Sequence, residues 1–78
     1  MKFVECVPNF SEGKDKNKIN DIVNAAKSVS GVSILDVESD SDHNSTVLTF
    51  IAPLDKAVEA MFRVAKRSAE LIDLNYHK

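Results

Sequence analysis

The sequence predicts an α+β two-layer fold, an α/β domain in which two helices cover one face of a mixed sheet. Three patterns support this prediction. A short apolar run that ends at a proline opens the chain, two long segments carry apolar residues at helical spacing, and two further apolar runs lie between those segments. The resulting order is strand, helix, strand, strand, helix. It is the beginning of a ferredoxin-like βαββαβ layer, βαββα with the closing strand missing.

Length and composition restrict the class of protein. The 78 residues suffice for one domain. Hydrophobic residues make up 44% of the chain and charged residues 28%, a composition that is ordinary for a globular protein. The net charge is −2 and basic residues alternate with acidic ones, so we expect no nucleic-acid partner. Apolar runs are too short to span a membrane. The chain has one cysteine, Cys6, which we expect to be a core residue. A single cysteine agrees with a reducing compartment, so we expect a cytoplasmic protein.

The first strand covers residues 3–7 and should end at Pro8, because proline has no N–H to donate to a neighbouring strand. Strand is then expected to become loop at Asn9. Loop residues 9–13 place small polar side chains and a glycine between this strand and a helix. Ligands of open α/β sheets usually bind outside the carboxyl ends of strands, so this loop is the first candidate site.

Four elements are expected after this loop: a helix over 14–28, a strand over 32–37, a strand over 46–51, and a helix from Pro53 to about Asn75. The strand over 32–37 is apolar on nearly both faces, which is typical of a central strand. An acidic loop over 38–44 should connect the two strands as an antiparallel hairpin.

Asp40, Asp42 and Asn44 alternate in the acidic loop as the ligands of a calcium-binding loop do. Counted from Asp40, the glycine and glutamate that an EF-hand needs at its sixth and twelfth positions are Ser45 and Ile51. We therefore predict no metal. His43 lies among carboxylates that favour its protonated form, which makes it either an acid or base in a site or a solvated loop residue.

Several stretches of the sequence resemble motifs of one family, the formiminotransferases (glutamate formimidoyltransferases). Val4–Gly13, reading VECVPNFSEG, resembles the opening signature of the family's amino-terminal subdomain. Two later signatures are also similar: Leu35–Val37 followed by Asp42–Asn44 and the strand 46–50, and Ile72–Asp73 with His77–Lys78.

This resemblance implies that residues 1–78 are the amino-terminal subdomain, truncated at its carboxyl-terminal end. Family members transfer a formimidoyl group between tetrahydrofolate and L-glutamate, in histidine degradation and one-carbon metabolism, within a folate-binding cleft between two subdomains. By resemblance, the folate-binding residues here are Asn9, Glu38 and Asn44: Asn9 offers amide hydrogen bonds, Glu38 offers a carboxylate, and Asn44 shapes the loop. Expected partners are folate, glutamate, and either the second subdomain or a partner chain, with homo-oligomers possible.

Two departures from the family pattern bear on catalysis. In the family the His-Lys pair is followed by Gly-Glu-His-Pro-Arg, whose histidine is the proposed acid/base catalyst, whereas this sequence stops at Lys78. The arginine that usually follows the asparagine of the second signature is Ser45 here. No catalytic residue is therefore assigned within the chain.

Two alternatives to an enzyme fragment remain open. One is a non-catalytic, stand-alone module that binds folate or a partner. The other is a degenerate structural domain that self-associates through an exposed sheet edge.

We predict that the 78-residue polypeptide alone has no measurable transferase activity, because group transfer needs both substrates oriented in one cleft and a group in reach of the moving proton. The assay is tetrahydrofolate-dependent turnover of formimidoylglutamate by the purified chain. Turnover above the uncatalysed rate would contradict the prediction.

Overall fold

The computed structural model describes residues 2–72. The elements are β1 (Phe3–Cys6), β2 (Asn9–Phe10), α1 (Lys16–Lys27), β3 (Ser33–Asp40), β4 (Ser45–Pro53) and α2 (Leu54–Ile72). The predicted order is confirmed, with one addition: the first strand resumes after Pro8. The predicted end of the second helix near Asn75 lies outside the described residues.

β4 is the central strand. β1 and β2 pair with it antiparallel on one side, and β3 pairs with it antiparallel on the other. β1 and β2 share one unbroken register against β4, from Phe3 opposite Pro53 to Phe10 opposite Thr46. Pro8 interrupts this strand only by lacking an N–H, and its carbonyl accepts a 2.9 Å hydrogen bond from the Leu48 N–H. The prediction that loop begins at Asn9 is therefore wrong.

The ferredoxin-like α+β class is confirmed, but every pairing among the described strands is antiparallel, so the sheet is not mixed in this region. β1 and β3 run in the same direction, and β4 lies between them. Among the described strands β3 therefore lies at an edge of the sheet and is not the central strand. Its side chains Leu35 and Val37 are 56% and 37% exposed, although their apolar character had indicated burial on both faces.

The core lies on one face of β4, beneath both helices, as predicted. Alternate residues of this strand are buried: Thr46, Leu48, Phe50 and Ala52. They meet the apolar stripes of the helices, which are Ile19, Ile22 and Ala26 of α1 and Ala57, Ala60 and Val64 of α2. The opposite face of β4 carries Val47, Thr49 and Ile51, which stay partly exposed because both described helices pack on the other side. This uncovered face is available to a ligand or to another part of a longer protein.

Hydrogen bonds fix the first residues of both helices. Asp15 caps α1, and its carboxylate accepts from the N–H groups of Asn17 and Lys18 at 3.0 and 3.3 Å. α2 begins directly after β4, where the Leu54 N–H donates to the Lys2 carbonyl at 3.2 Å. Pro53 therefore ends a strand, whereas the sequence predicted that it begins a helix.

One flank of α2 remains apolar and exposed. Leu54, Val58, Met61 and Phe62 recur at helical spacing and are 55%, 64%, 37% and 68% exposed. This stripe runs along the helix that contacts β1, whose other edge pairs with no described strand. Neither described helix is long and apolar enough to cross a membrane.

Replacing Phe50 by alanine should lower the free energy of unfolding by about 3–5 kcal/mol, because it removes a large side chain from the centre of the core. Phe50 is 0% exposed, whereas Phe62 is 68% exposed and provides a matched control. Phe62→Ala should change stability by less than about 0.5 kcal/mol. Urea denaturation followed by circular dichroism measures both, and equal losses would contradict the assigned core.

Candidate functional site

Asn9 and Glu38 lie on either side of one residue of the central strand. In the register of the sheet Asn9 is opposite Val47 from one side and Glu38 is opposite Val47 from the other. We call Asn9, Val47 and Glu38 the Val47 row. Adjacent strands are about 4.8 Å apart, so the two outer Cα atoms are about 10 Å apart.

The Val47 row belongs to the uncovered face of the sheet. Side chains alternate between faces along a strand, and the neighbouring β4 residues Thr46 and Leu48 are fully buried under the helices. Asn9 and Glu38 are both exposed. The row therefore presents an amide and a carboxylate on either side of an apolar centre, toward solvent.

Asn44 lies at the same end of the sheet, in the turn between β3 and β4. Its backbone is left-handed, with φ 51°, a conformation that asparagine tolerates better than most residues. Its side-chain oxygen Oδ1 accepts a 2.9 Å hydrogen bond from the Gly13 N–H. The acceptor is thus engaged in holding the loop that follows β2, which agrees with the loop-shaping role implied for Asn44.

Gly13 is required by this contact. A Cβ at residue 13 would lie 2.3 Å from the Asp40 carbonyl oxygen and 2.6 Å from the Ser45 nitrogen. Only glycine lets the loop backbone approach the hairpin so closely. The loop after β2 and the hairpin turn are therefore one packed unit at this end of the sheet.

Glu12 does not present its carboxylate to a ligand. Its residue is 9% exposed, and Oε2 accepts from the N–H groups of Lys14 and Asp15 at 3.2 and 3.0 Å. The Lys18 ammonium lies 4.0 Å from Oε1. The sequence grouped Glu12 with the candidate loop, but its oxygens stabilise the backbone just before α1.

Thr46 was not singled out from the sequence. It is 0% exposed, and its hydroxyl donates a hydrogen bond to the Glu12 carbonyl and lies 2.9 Å from the Ser39 hydroxyl. Its position in the sequence could have indicated this role. A threonine that alternates in phase with Leu48 and Phe50 faces the core, where its hydroxyl needs a hydrogen-bond partner.

His43 is held by the turn that contains it. Its Nδ1 lies 2.6 Å from Asp40 Oδ2, and the same carboxylate accepts from the N–H groups of Asp42 and His43 at 2.9 and 3.3 Å. The hydrogen bond from the His43 side chain lowers the pKa of Asp40. The His43 side chain is 80% exposed, so this pair organises the turn surface.

Neither a metal centre nor a thiol site emerges from residues 2–72. No three His, Cys, Asp or Glu side chains in that range gather closely enough to hold a metal ion. Cys6 packs against the core, and burial raises the pKa of its thiol, which disfavours the reactive thiolate.

Replacing Asn44 should separate two contributions to stability. Asn44→Gly keeps the left-handed backbone but removes the acceptor for the Gly13 N–H, and should cost about 1 kcal/mol. Asn44→Ala removes the acceptor and adds backbone strain, so it should cost about 2 kcal/mol. Chemical denaturation of the two variants tests this order, and an alanine variant as stable as the wild type would contradict it.

Comparison with known proteins identifies the family of the chain. Residues 3–78 match the model of the formiminotransferase domain, N-terminal subdomain. The whole chain is 51% identical to a glutamate formimidoyltransferase of Thermoplasma acidophilum, of which it covers 26%. It is 43% identical over 97% of its length to the Streptococcus pyogenes enzyme of that name, covering 25% of it. A formimidoyltransferase-cyclodeaminase of Gallus gallus is 42% identical over 99% of the chain, which covers 14% of that protein.

The chain thus spans about a quarter of the first two relatives and a smaller share of the third. The match extends over β1 to α2 and includes all three residues that the sequence assigned to the site. The chain belongs to the formiminotransferase family, in which it corresponds to the N-terminal subdomain.

Proposed function

We propose that this chain forms one wall of the folate-binding cleft of a cytoplasmic glutamate formimidoyltransferase. The enzyme would move a formimidoyl group between tetrahydrofolate and L-glutamate, a step of histidine degradation and one-carbon metabolism. The names of the relatives support the formimidoyl group as the group that is transferred. The observation that carries the assignment of this wall is the Val47 row on the uncovered face of the sheet.

The chemistry of the Val47 row suits a reduced pterin. Glu38 would accept hydrogen bonds from ring N–H groups, and the Asn9 amide can both donate and accept. Val47, between them on the same face of the sheet, would supply an apolar contact for the ring itself. Asn44 would act through the loop and the turn that it joins, at the end of the same face.

The transfer reaction itself defines what else the cleft needs. The carbon–nitrogen bond between the formimidoyl group and glutamate breaks, and a new one forms to a nitrogen of tetrahydrofolate. That nitrogen loses a proton and the glutamate nitrogen gains one, so an acid/base group must lie within reach of both. By the family resemblance, this group would be a histidine after Lys78. In this proposal the longer protein supplies that histidine and the opposite wall.

Titration of the ¹⁵N-labelled chain with tetrahydrofolate under reducing conditions tests the proposal. We expect saturable NMR shifts centred on the Val47 row, and about tenfold weaker binding for Asn9→Ala and for Glu38→Gln, since each loses a hydrogen bond worth about 1.4 kcal/mol.

Glu5→Gln is the matched control. Glu5 is on the same face but opposite Ile51, four residues along β4 from Val47, or about 13 Å. This variant should bind like the wild type. Shifts confined to the helical layer, or equal losses in Glu5→Gln and Glu38→Gln, would contradict the assigned wall.

A further inference from the structure

We infer that Thr46 is a positioning residue for the proposed folate-binding wall. Its hydroxyl lies on the helix side of the sheet and holds the two outer strands at the spacing that places Asn9 and Glu38 on either side of Val47. This inference rests on the proposed function, and it concerns a residue that does not itself reach the ligand face.

Thr46 stands between both outer strands. Phe10 of β2 is opposite it on one side, and Ser39 of β3 is opposite it on the other. These three residues form the Thr46 row, directly beside the Val47 row. Each member of one row is the chain neighbour of a member of the other, so a displacement of the Thr46 row must displace the Val47 row.

The hydroxyl joins the two sides. A hydroxyl group has one hydrogen to donate, and the Glu12 carbonyl can only accept, so Thr46 donates to Glu12. The Ser39 hydroxyl, 2.9 Å away, therefore donates to Thr46 Oγ1. Thr46 is 0% exposed. Its single hydroxyl oxygen thus links the loop after β2 to β3 across the central strand.

The link adds to the pairing of β2 with β4, because β2 is short. It contains two residues and follows Pro8, which cannot donate to β4. The Phe10 carbonyl accepts a 3.0 Å hydrogen bond from the Glu12 N–H, so the backbone leaves the strand immediately after Phe10. The Thr46 hydroxyl fixes this segment at the point where strand pairing ends.

A double-mutant cycle distinguishes positioning from plain stabilisation. Thr46→Val removes the hydroxyl at nearly constant shape, and Thr46→Ser keeps it. With all variants fully folded, we expect Thr46→Val to weaken tetrahydrofolate binding about tenfold and Thr46→Ser to weaken it less than about threefold. In the Asn9→Ala background the valine change should weaken binding less than it does in the wild-type background, because one of the two groups that it misplaces is gone.

An equal loss of affinity in both backgrounds, or no loss in Thr46→Val, would overturn the inference. If the wild-type chain itself fails to bind tetrahydrofolate, the proposed function fails, and NMR still decides the role of Thr46. In that case cross-strand nuclear Overhauser contacts from Val47 to Asn9 and Glu38 should weaken in Thr46→Val and persist in Thr46→Ser. Contacts that are unchanged in the valine variant would overturn the inference in this arm.

Discussion

The pairing of every other strand with β4 is the constraint on which the structure depends. β1, β2 and β3 have no described partner besides β4, so their mutual placement is set by one register. The alternation of side chains then assigns the two faces of β4 to different tasks. One face carries Leu48 and Phe50 into the core, and the other carries Val47 between the two polar residues of the candidate site.

The sequence predicted the element order and the helical faces, because these depend on local periodicity. The literal signature selected Asn9, Glu38 and Asn44, which the structure brings to one end of the sheet. The sequence misjudged which strand is central. Apolar content on both faces favoured the strand that begins near Val32, but β4 is central because it pairs with β1 and β2 on one side and with β3 on the other. Strand order follows from long-range pairing, and the hydrophobicity of a single strand does not determine it. The return to strand after Pro8 was missed for the same reason: the unbroken register with β4 outweighs the one donor that proline lacks.

The loop after β2 shows why polar residues beside a strand end are an ambiguous signal. Glu12 and Asn44 are polar side chains at a candidate site, and both use oxygen atoms to satisfy backbone N–H groups. Buried or partly buried backbone donors need acceptors, and loops that approach other backbone closely have few available. Counting those donors identifies which polar side chains remain for a ligand. Asn9 and Glu38 remain because they belong to paired strands, where the main chain satisfies its own hydrogen bonds.

The apolar flank of α2 and the outer edge of β1 have a consequence for biosynthesis. Translation proceeds at about 5–20 residues per second, so a segment at the start of a longer polypeptide leaves the ribosome seconds before later segments. During that interval Val58 and Phe62 contact water beside the edge of β1 that pairs with no described strand. Chaperones recognise surfaces of this kind, and neighbouring nascent chains on one messenger can join through them. Efficient production of a longer protein that carries this segment therefore depends on how soon a later stretch covers this surface.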